Sequence, residues 1–371
     1  MLAYLILLII PFLFSFVAKR RKRAKLYFGT GEVVSHNNLS ISTFFIMLWT
    51  LLACRSIEVG VDLSNYNLFF KKYSKYDFVQ AFNGDLEPLF GILNWCIAQI
   101  TSNFQVYLAI VAAITILPIV SLYKQDRRHS YLKIALFVNM SVFVMLFSGI
   151  RQAIAMSIGL IVFHFVKKRR ILLFLIMVFV AIGVHASAFI LFAMYPVYYL
   201  RLKKKHLYII VPLIAIVFIF NRPIFTVLLS VMTLLNAGYA DYASLSDTGA
   251  ITMIILFVAF TLFAYILPDD QKTDDEFIGM RNYLLLATLL QCFAPLHSIA
   301  MRMNYYYILF VPMVVPMALN YTEHKYKQVA KLAEIVMCVF FTLYFWYTAY
   351  TGCLTDGGSL NTYPYIPFWA D

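Results

Sequence analysis

Arg55, Arg151, Arg222 and Arg302 stand apart from the basic clusters of this chain, inside or beside apolar runs, and His185, His297, Asp62, Asp85 and Glu87 share that setting. An ionisable side chain is costly to keep at such a place, so each is a candidate for function. Arg151 is the sharpest of them. It falls in Ser148-Gly149-Ile150-Arg151-Gln152, between two apolar arms, where a fixed guanidinium would take a phosphate or pyrophosphate through two parallel hydrogen bonds. The plainer possibility is an arginine that snorkels outward and anchors the turn. His185, followed by Ala186-Ser187-Ala188, would serve as general base or hydrogen-bond partner to a sugar hydroxyl, or else be satisfied by a neighbouring helix. Asp62 and Glu87 would deprotonate an acceptor hydroxyl or pair with the arginines; Arg55 and Tyr66 stand in the same stretch. Arg302 precedes Asn304 and Tyr305-Tyr306-Tyr307, a second cation beside a surface suited to stacking on a sugar.

The elements that must hold these residues are membrane helices. The 371 residues are 62% hydrophobic and only 13% charged, about half the charge of a soluble domain, so the bilayer is the solvent this surface needs. The mean hydropathy is +0.79. The net charge of +12 raises nucleic acid as a partner, and its distribution answers against that. Of the 30 Lys and Arg, 21 lie in short clusters at 19–25, 124–133, 167–170, 201–205 and 325–331, between apolar spans. That is the pattern of cytoplasmic loops against anionic lipid. The five cysteines show no CxxC spacing and read as neutral buried thiols.

Placing the basic clusters inside predicts an all-α, polytopic chain of about twelve spans, a single membrane domain over 1–371. The outer loops fall at about 55–87 and 222–249, the latter with Asp241 and Asp247, and short outer turns near 148–152, 183–187 and 294–302. The apolar run at 88–101 is shorter than the ~17–25 residues of a spanning helix, and so reads as re-entrant or interfacial. The run 134–166 must cross twice, which sinks the turn carrying Arg151 towards membrane depth beside an outward cavity. The isolated charges all map to that outer half. There is no Gly-rich phosphate loop, no HExxH and no clustered carboxylate set, which leaves an ATP-driven pump or a zinc protease unsupported. The expected chemistry uses neither metal nor cofactor.

Arg55 with Gly60-Val61-Asp62 and Tyr66, then Glu87-Pro88, then Ser148-Gly149-Ile150-Arg151-Gln152-Ala153, then His185-Ala186-Ser187-Ala188, resemble the EpsG family in order and spacing over about 40–200. Arg302 and its tyrosines fit the family's C-terminal half. The chain departs from the family where members often carry an Arg-Asp pair, since Ser56 follows Arg55. That family is related to the Wzy-type O-antigen and capsule polymerases. The resemblance implies a membrane glycosyltransferase of GT-C-like architecture, in the bacterial plasma membrane with its cavity on the outer side. It would join polyprenyl-pyrophosphate-linked oligosaccharide repeat units, with a chain-length regulator and a flippase as expected partners. On that resemblance Arg151 and Arg302 hold the pyrophosphate, with Gln152, Arg55, Tyr66 and Tyr306 as further binding residues. His185, Asp62 or Glu87 activates the acceptor hydroxyl. A flippase for the same lipid-linked oligosaccharide, or an envelope ligase or acyltransferase, are the competing readings. A flippase often shows paired repeats, and none is visible here.

Overall fold

The structure, a computed structural model, describes residues 1–28, 37–126, 128–235, 251–323, 325–355 and 358–370. Asp241 and Asp247 of the expected second outer loop lie outside the described residues. Among the described residues the chain is helical throughout, with no strand and one isolated bridge between Arg55 and Pro367. Its contacts gather into two compact units where the sequence suggests one domain: Met1–Phe189 with Leu332–Asp371, and Ile190–Lys331. The first unit opens with α1 (Leu2–Phe28), α2 (Asn37–Ala53), α3 (Leu63–Tyr73), α4 (Phe78–Phe82), α5 (Pro88–Ala98), α6 (Phe104–Gln125), α7 (Ser130–Asn139), α8 (Ser141–Ser148), α9 (Ile150–Lys167) and α10 (Ile171–Val184). The second holds α11 (Met194–Tyr198), α12 (Leu207–Ile219), α13 (Asn221–Leu235), α14 (Ile251–Ile266), α15 (Asp275–Gln291), α16 (Ser298–Ile308) and α17 (Val311–Glu323). The chain returns to the first unit along α18 (Lys327–Leu354) and ends past α19 (Gly358–Asn361).

Several helices carry apolar faces that stay exposed among the described residues. On α18 Val336, Phe340, Leu343 and Tyr347, a stripe at helical spacing, are each more than half exposed. Such a surface fits a lipid environment. By length and composition α6, α9 and α18 can each cross a bilayer. Two bent pairs qualify only when joined: α7 with α8, at 64°, and Lys204–Ile219 with Asn221–Ser230, at 75°. Six shorter apolar helices accompany them. Among the described residues the apolar elements are therefore full-length helices, bent pairs and shorter or divided helices, where the sequence suggests about twelve spans. The run 303–320 is one such case: it divides at Leu309-Phe310 into α16 and α17, and Pro312 sits in the first turn of α17, where a missing N–H costs nothing. The 11 residues of α5 reach about 16 Å, too short to cross.

The first unit sorts its charge along the helix axes. His129 Nδ1 meets Glu334 Oε1 at 3.1 Å near the start of α18, beside the basic loop at 124–133. At the other end of α18 Gly352 packs on Tyr363. α9 runs about 27 Å from Gly149 to the 167–170 cluster, and α10 returns the same way to His185. The basic loops thus lie at one end of the unit and Arg151 and His185 at the other.

The C-terminal segment ties that second end together. Ser56 N–H donates to the Ile366 carbonyl at 2.8 Å, Phe368 N–H to Cys54 at 2.9 Å, Gly60 N–H to Asn361 at 3.0 Å and Val61 N–H to Leu360 at 3.2 Å, while the Tyr4 hydroxyl donates to the Thr362 carbonyl. Gly60 has φ +114°, and a Cβ there would stand 2.0 Å from the Phe147 carbonyl oxygen. Only glycine allows the 54–62 loop to lie against the Ser148 turn. Gly60→Ala is expected to destabilise the protein by about 2 kcal/mol or more. A chain ending at Thr355, which lacks these backbone bonds, should likewise melt at a lower temperature; a wild-type melting temperature in both variants would contradict this account of the loop.

Candidate functional site

Three residues far apart in sequence meet at this end of the first unit. Glu87 Oε2 accepts from Arg151 Nη1 at 2.7 Å, and Glu87 Oε1 lies 3.0 Å from His185 Nδ1. The Ala186 N–H also points to Oε1, at 3.4 Å. The carboxylate is therefore engaged on both oxygens and links the cation to the imidazole. All three side chains are partly open, 30% for Arg151, 19% for Glu87 and 14% for His185, so a ligand can reach them.

Local structure explains why they converge. Glu87 precedes Pro88 at the start of α5 and caps it without a side-chain bond, which frees the carboxylate to face outward. Pro88 suits the first helical position, where its missing N–H would have been unpaired anyway. His185 ends α10 in an extended conformation, φ −156° and ψ 122°. Two residues earlier Gly183 lets α10 settle on Leu89, since a Cβ there would meet Leu89 Cδ1 and Cγ at 2.8 Å. Arg151 lies in the first turn of α9, after the break at Gly149.

α3 acts as the template between these pieces. Its buried face carries Leu63, Tyr66, Phe70 and Tyr73. The Tyr66 hydroxyl accepts from the Arg151 N–H at 3.4 Å, one of the first-turn donors that a helix leaves unpaired. The Tyr73 hydroxyl accepts from the Leu86 N–H at 3.1 Å and so fixes the turn into Glu87. Two tyrosines seven residues apart on one helix face set the spacing of Arg151 and Glu87. Lys72 and Asp85 pair at the surface of the same turn.

Burial raises the Glu87 pKa, and the hydrogen bond to His185 together with the charge of Arg151 outweighs it, holding the carboxyl down to about 2 from an ordinary 4.5. The folded value lies below the unfolded one. The stability this cluster supplies is thus complete above pH ~4.5 and lost as pH falls towards ~2. In detergent, the melting-temperature gap between the wild type and Glu87→Gln should be level near neutral pH and close in acid. A gap that is the same at every pH would contradict the ion pairing.

The other expected residues take different places. Asp62 lies at the start of α3 and exchanges hydrogen bonds with Ser148: its N–H reaches Ser148 Oγ at 3.3 Å, and Ser148 Oγ donates to its carboxylate at 3.4 Å. Asp62 therefore joins the 54–62 loop to the Arg151 turn and is not one of the Arg151–Glu87–His185 contacts. Tyr66 and Gln152 are buried, at 5% and 2% exposure, so Tyr66 supports Arg151 from beneath. Arg55 is buried too; Nη1 donates to the Leu146 carbonyl at 3.3 Å and the guanidinium lies over the Phe147 ring. It braces α8 where the sequence suggested a pyrophosphate ligand. In the second unit Arg302 is exposed, while Tyr306 is 1% exposed and cannot offer its face to a sugar. The tyrosine run there is core: Tyr307 donates to the Ile190 carbonyl at 2.8 Å and packs on Tyr283.

Sequence reasoning passed over two buried cations. Lys133 looks like one more loop residue, yet it is fully buried and its Nζ donates to the Asp126 carbonyl. Arg281, inside the apolar run of α15, donates to the Leu202 carbonyl at 2.7 Å and lies 4.2 Å from the Tyr265 ring centroid. A lone arginine in an apolar run was the available signal for the second; nothing local marks the first. Among the described residues no group of three or more His, Cys, Asp or Glu is arranged to hold a metal ion.

An all-helical protein with uncovered apolar faces and an Arg–Glu–His cluster at the end away from its basic loops is the class that fold and site define. The EpsG family model matches residues 38–366, and the chain belongs to the EpsG family. That match spans α2 to the C-terminal segment and includes every residue of the cluster. No curated protein and no solved structure matches the chain. Membership suggests a polysaccharide-polymerase-like glycosyltransferase function, with lipid-linked saccharides in a membrane as substrates, and the apolar helices fit that setting.

Proposed function

We propose that this protein is a polysaccharide polymerase that joins polyprenyl-pyrophosphate-linked oligosaccharide repeat units at the outer face of a bacterial plasma membrane. The observation that carries the reading is the Arg151–Glu87–His185 cluster, a partly open cation beside an oriented imidazole. In the reaction, the acceptor hydroxyl oxygen forms a bond to the anomeric carbon of the donor sugar. The bond from that carbon to the pyrophosphate oxygen breaks, and the leaving group departs with its electron pair.

Arg151 answers the charge on that leaving group, since a guanidinium presents paired donors to a phosphate. A carboxylate only accepts, so Glu87 keeps the His185 proton on Nδ1 and leaves Nε2 basic. Nε2 takes the acceptor's hydroxyl proton, and Glu87 steadies the imidazolium that results, as in other carboxylate–histidine pairs. Of the three candidate bases, His185 fits best: Glu87 is occupied on both oxygens and Asp62 is bonded to Ser148. Arg302 stays a proposed phosphate ligand on its residue type and exposure. Outward sidedness is supported by the separation of the cluster from the basic loops along α9, α10 and α18, and the helical architecture is compatible with a GT-C-like enzyme.

A strain lacking the protein distinguishes this function from a flippase. Loss of a polymerase is expected to leave single repeat units on the cell exterior, open to labelling by an impermeant reagent. Repeat units trapped inside the cell would contradict the proposal and favour transport.

A further inference from the structure

At the end of the first unit away from the cluster, α6 and α9 enclose a cavity of about 360 Å³. The two helices are joined near their middles, where the Ser157 hydroxyl donates to the Thr115 carbonyl, and the cavity opens beyond that point towards their C-termini. Its walls change character along the helix axis. Leu117 and Ile161 form an apolar flank and are 65% and 39% exposed on the outside of the unit. Ser121, Gln125, His164 and Lys167 line the far end. A gradient of this kind, apolar towards the helix middles and cationic with hydroxyl and amide donors at the end, matches a lipid with its chain along the groove and its headgroup at the mouth.

Charge decides which headgroup. The C-terminal ends of α6 and α9 present partial negative charge, about half a unit each, which opposes an anion. Against them stand Lys167, Lys168, Arg169 and Arg170 in sequence, and Lys124 on α6. The nearby Asp126 is met by Arg128 at 3.2 Å and Lys133 at 4.0 Å, so it cancels little of that field. The cavity is within the usual range for a ligand site, about 300–1,000 Å³. Basic pockets between membrane helices on the cytoplasmic side suit anionic headgroups.

We infer that the α6–α9 groove binds an anionic phospholipid, its phosphate held by Lys167 and His164 with Ser121 and Gln125 as further donors, and one acyl chain laid along Leu117 and Ile161. The inference depends on the chain residing in a membrane and is independent of the transferase reading, since none of these residues belongs to the Arg151–Glu87–His185 cluster.

The test uses the full-length protein purified in a neutral detergent, with retained lipid counted by native mass spectrometry after exposure to phosphatidylglycerol or to phosphatidylcholine. Phosphatidylglycerol should be retained about 5-fold or more over phosphatidylcholine, and the His164→Ala/Lys167→Ala protein should lose about that preference. Ile161→Trp, which fills the exposed flank and leaves the charge unchanged, should displace the lipid as well, and Arg201→Ala, a basic-loop change outside the groove, should not. Equal retention of the two lipids would overturn the site. So would an Arg201→Ala loss as large as that of the groove variants, or full displacement by millimolar inorganic phosphate, which would mark a site for a free anion. Polymer synthesis by these variants reports on the transferase reading separately.

Discussion

Arg151→Ala is expected to abolish long polysaccharide while leaving the protein level and the single-repeat product intact. Losing one charged donor to a developing oxyanion removes about 3–4 kcal/mol of transition-state stabilisation, a factor of ~10²–10³ in rate. A polymer made of many successive transfers then falls below detection. The structure adds a refinement. Arg151 Nη1 already bonds Glu87 at 2.7 Å, so the arginine is held in place before any substrate arrives and little ordering remains for the complex. Arg151→Lys keeps the charge and gives up the planar fork, and an intermediate loss of about 10-fold or more is expected. Chain-length distribution on a gel, normalised to protein level, checks both. Full-length polymer from Arg151→Ala would remove the phosphate-binding role and leave an arginine that only pairs with Glu87.

His185→Ala should cost about 10²–10⁴ in polymerisation rate, the usual range for a positioned general base. Glu87→Gln should cost less than His185→Ala, because the amide oxygen can still accept from Nδ1 and keep the ring aligned while the negative charge that favours the imidazolium is gone. The alternative is an imidazolium that binds the pyrophosphate directly. The two are told apart by the pH dependence of the rate. A base acts when neutral, so the rate rises with pH; a cationic ligand acts when protonated, and the rate would fall. A rate unaffected by His185→Ala would make the residue a structural partner of Glu87 alone.

Residue type and isolation were enough to single out Arg151, Glu87 and His185, which the structure brings together. Arg151 and His185 interrupt apolar sequence and Glu87 stands where an apolar run begins, and the cost of placing charge there is a property readable without coordinates. Their mutual arrangement was not readable, because it depends on α3. The hydroxyls of Tyr66 and Tyr73 hold the backbones of Arg151 and Leu86, and a tyrosine looks the same in sequence whether it faces a ligand or a neighbouring amide. Nor does residue type announce that Tyr306 and Arg55 are both buried. Gly60 and Gly183 likewise act through contacts with Phe147 and Leu89, 87 and 94 residues away. A hydropathy average also hides a break: α7 and α8 form one apolar run, yet they meet at 64°. No motif marks the C-terminal segment. Its backbone bonds to Cys54, Ser56, Gly60 and Val61 carry no sequence signature, since any residue can supply a main-chain N–H or carbonyl.

The most direct test of the central claim is reconstitution of the purified protein in vesicles with its lipid-linked repeat unit alone, without ATP or added metal. The account predicts a ladder of polymer, with one free polyprenyl pyrophosphate released for each bond formed, and neither product from the Arg151→Ala protein. Movement of intact repeat units across the vesicle membrane with no ladder and no released pyrophosphate would contradict it.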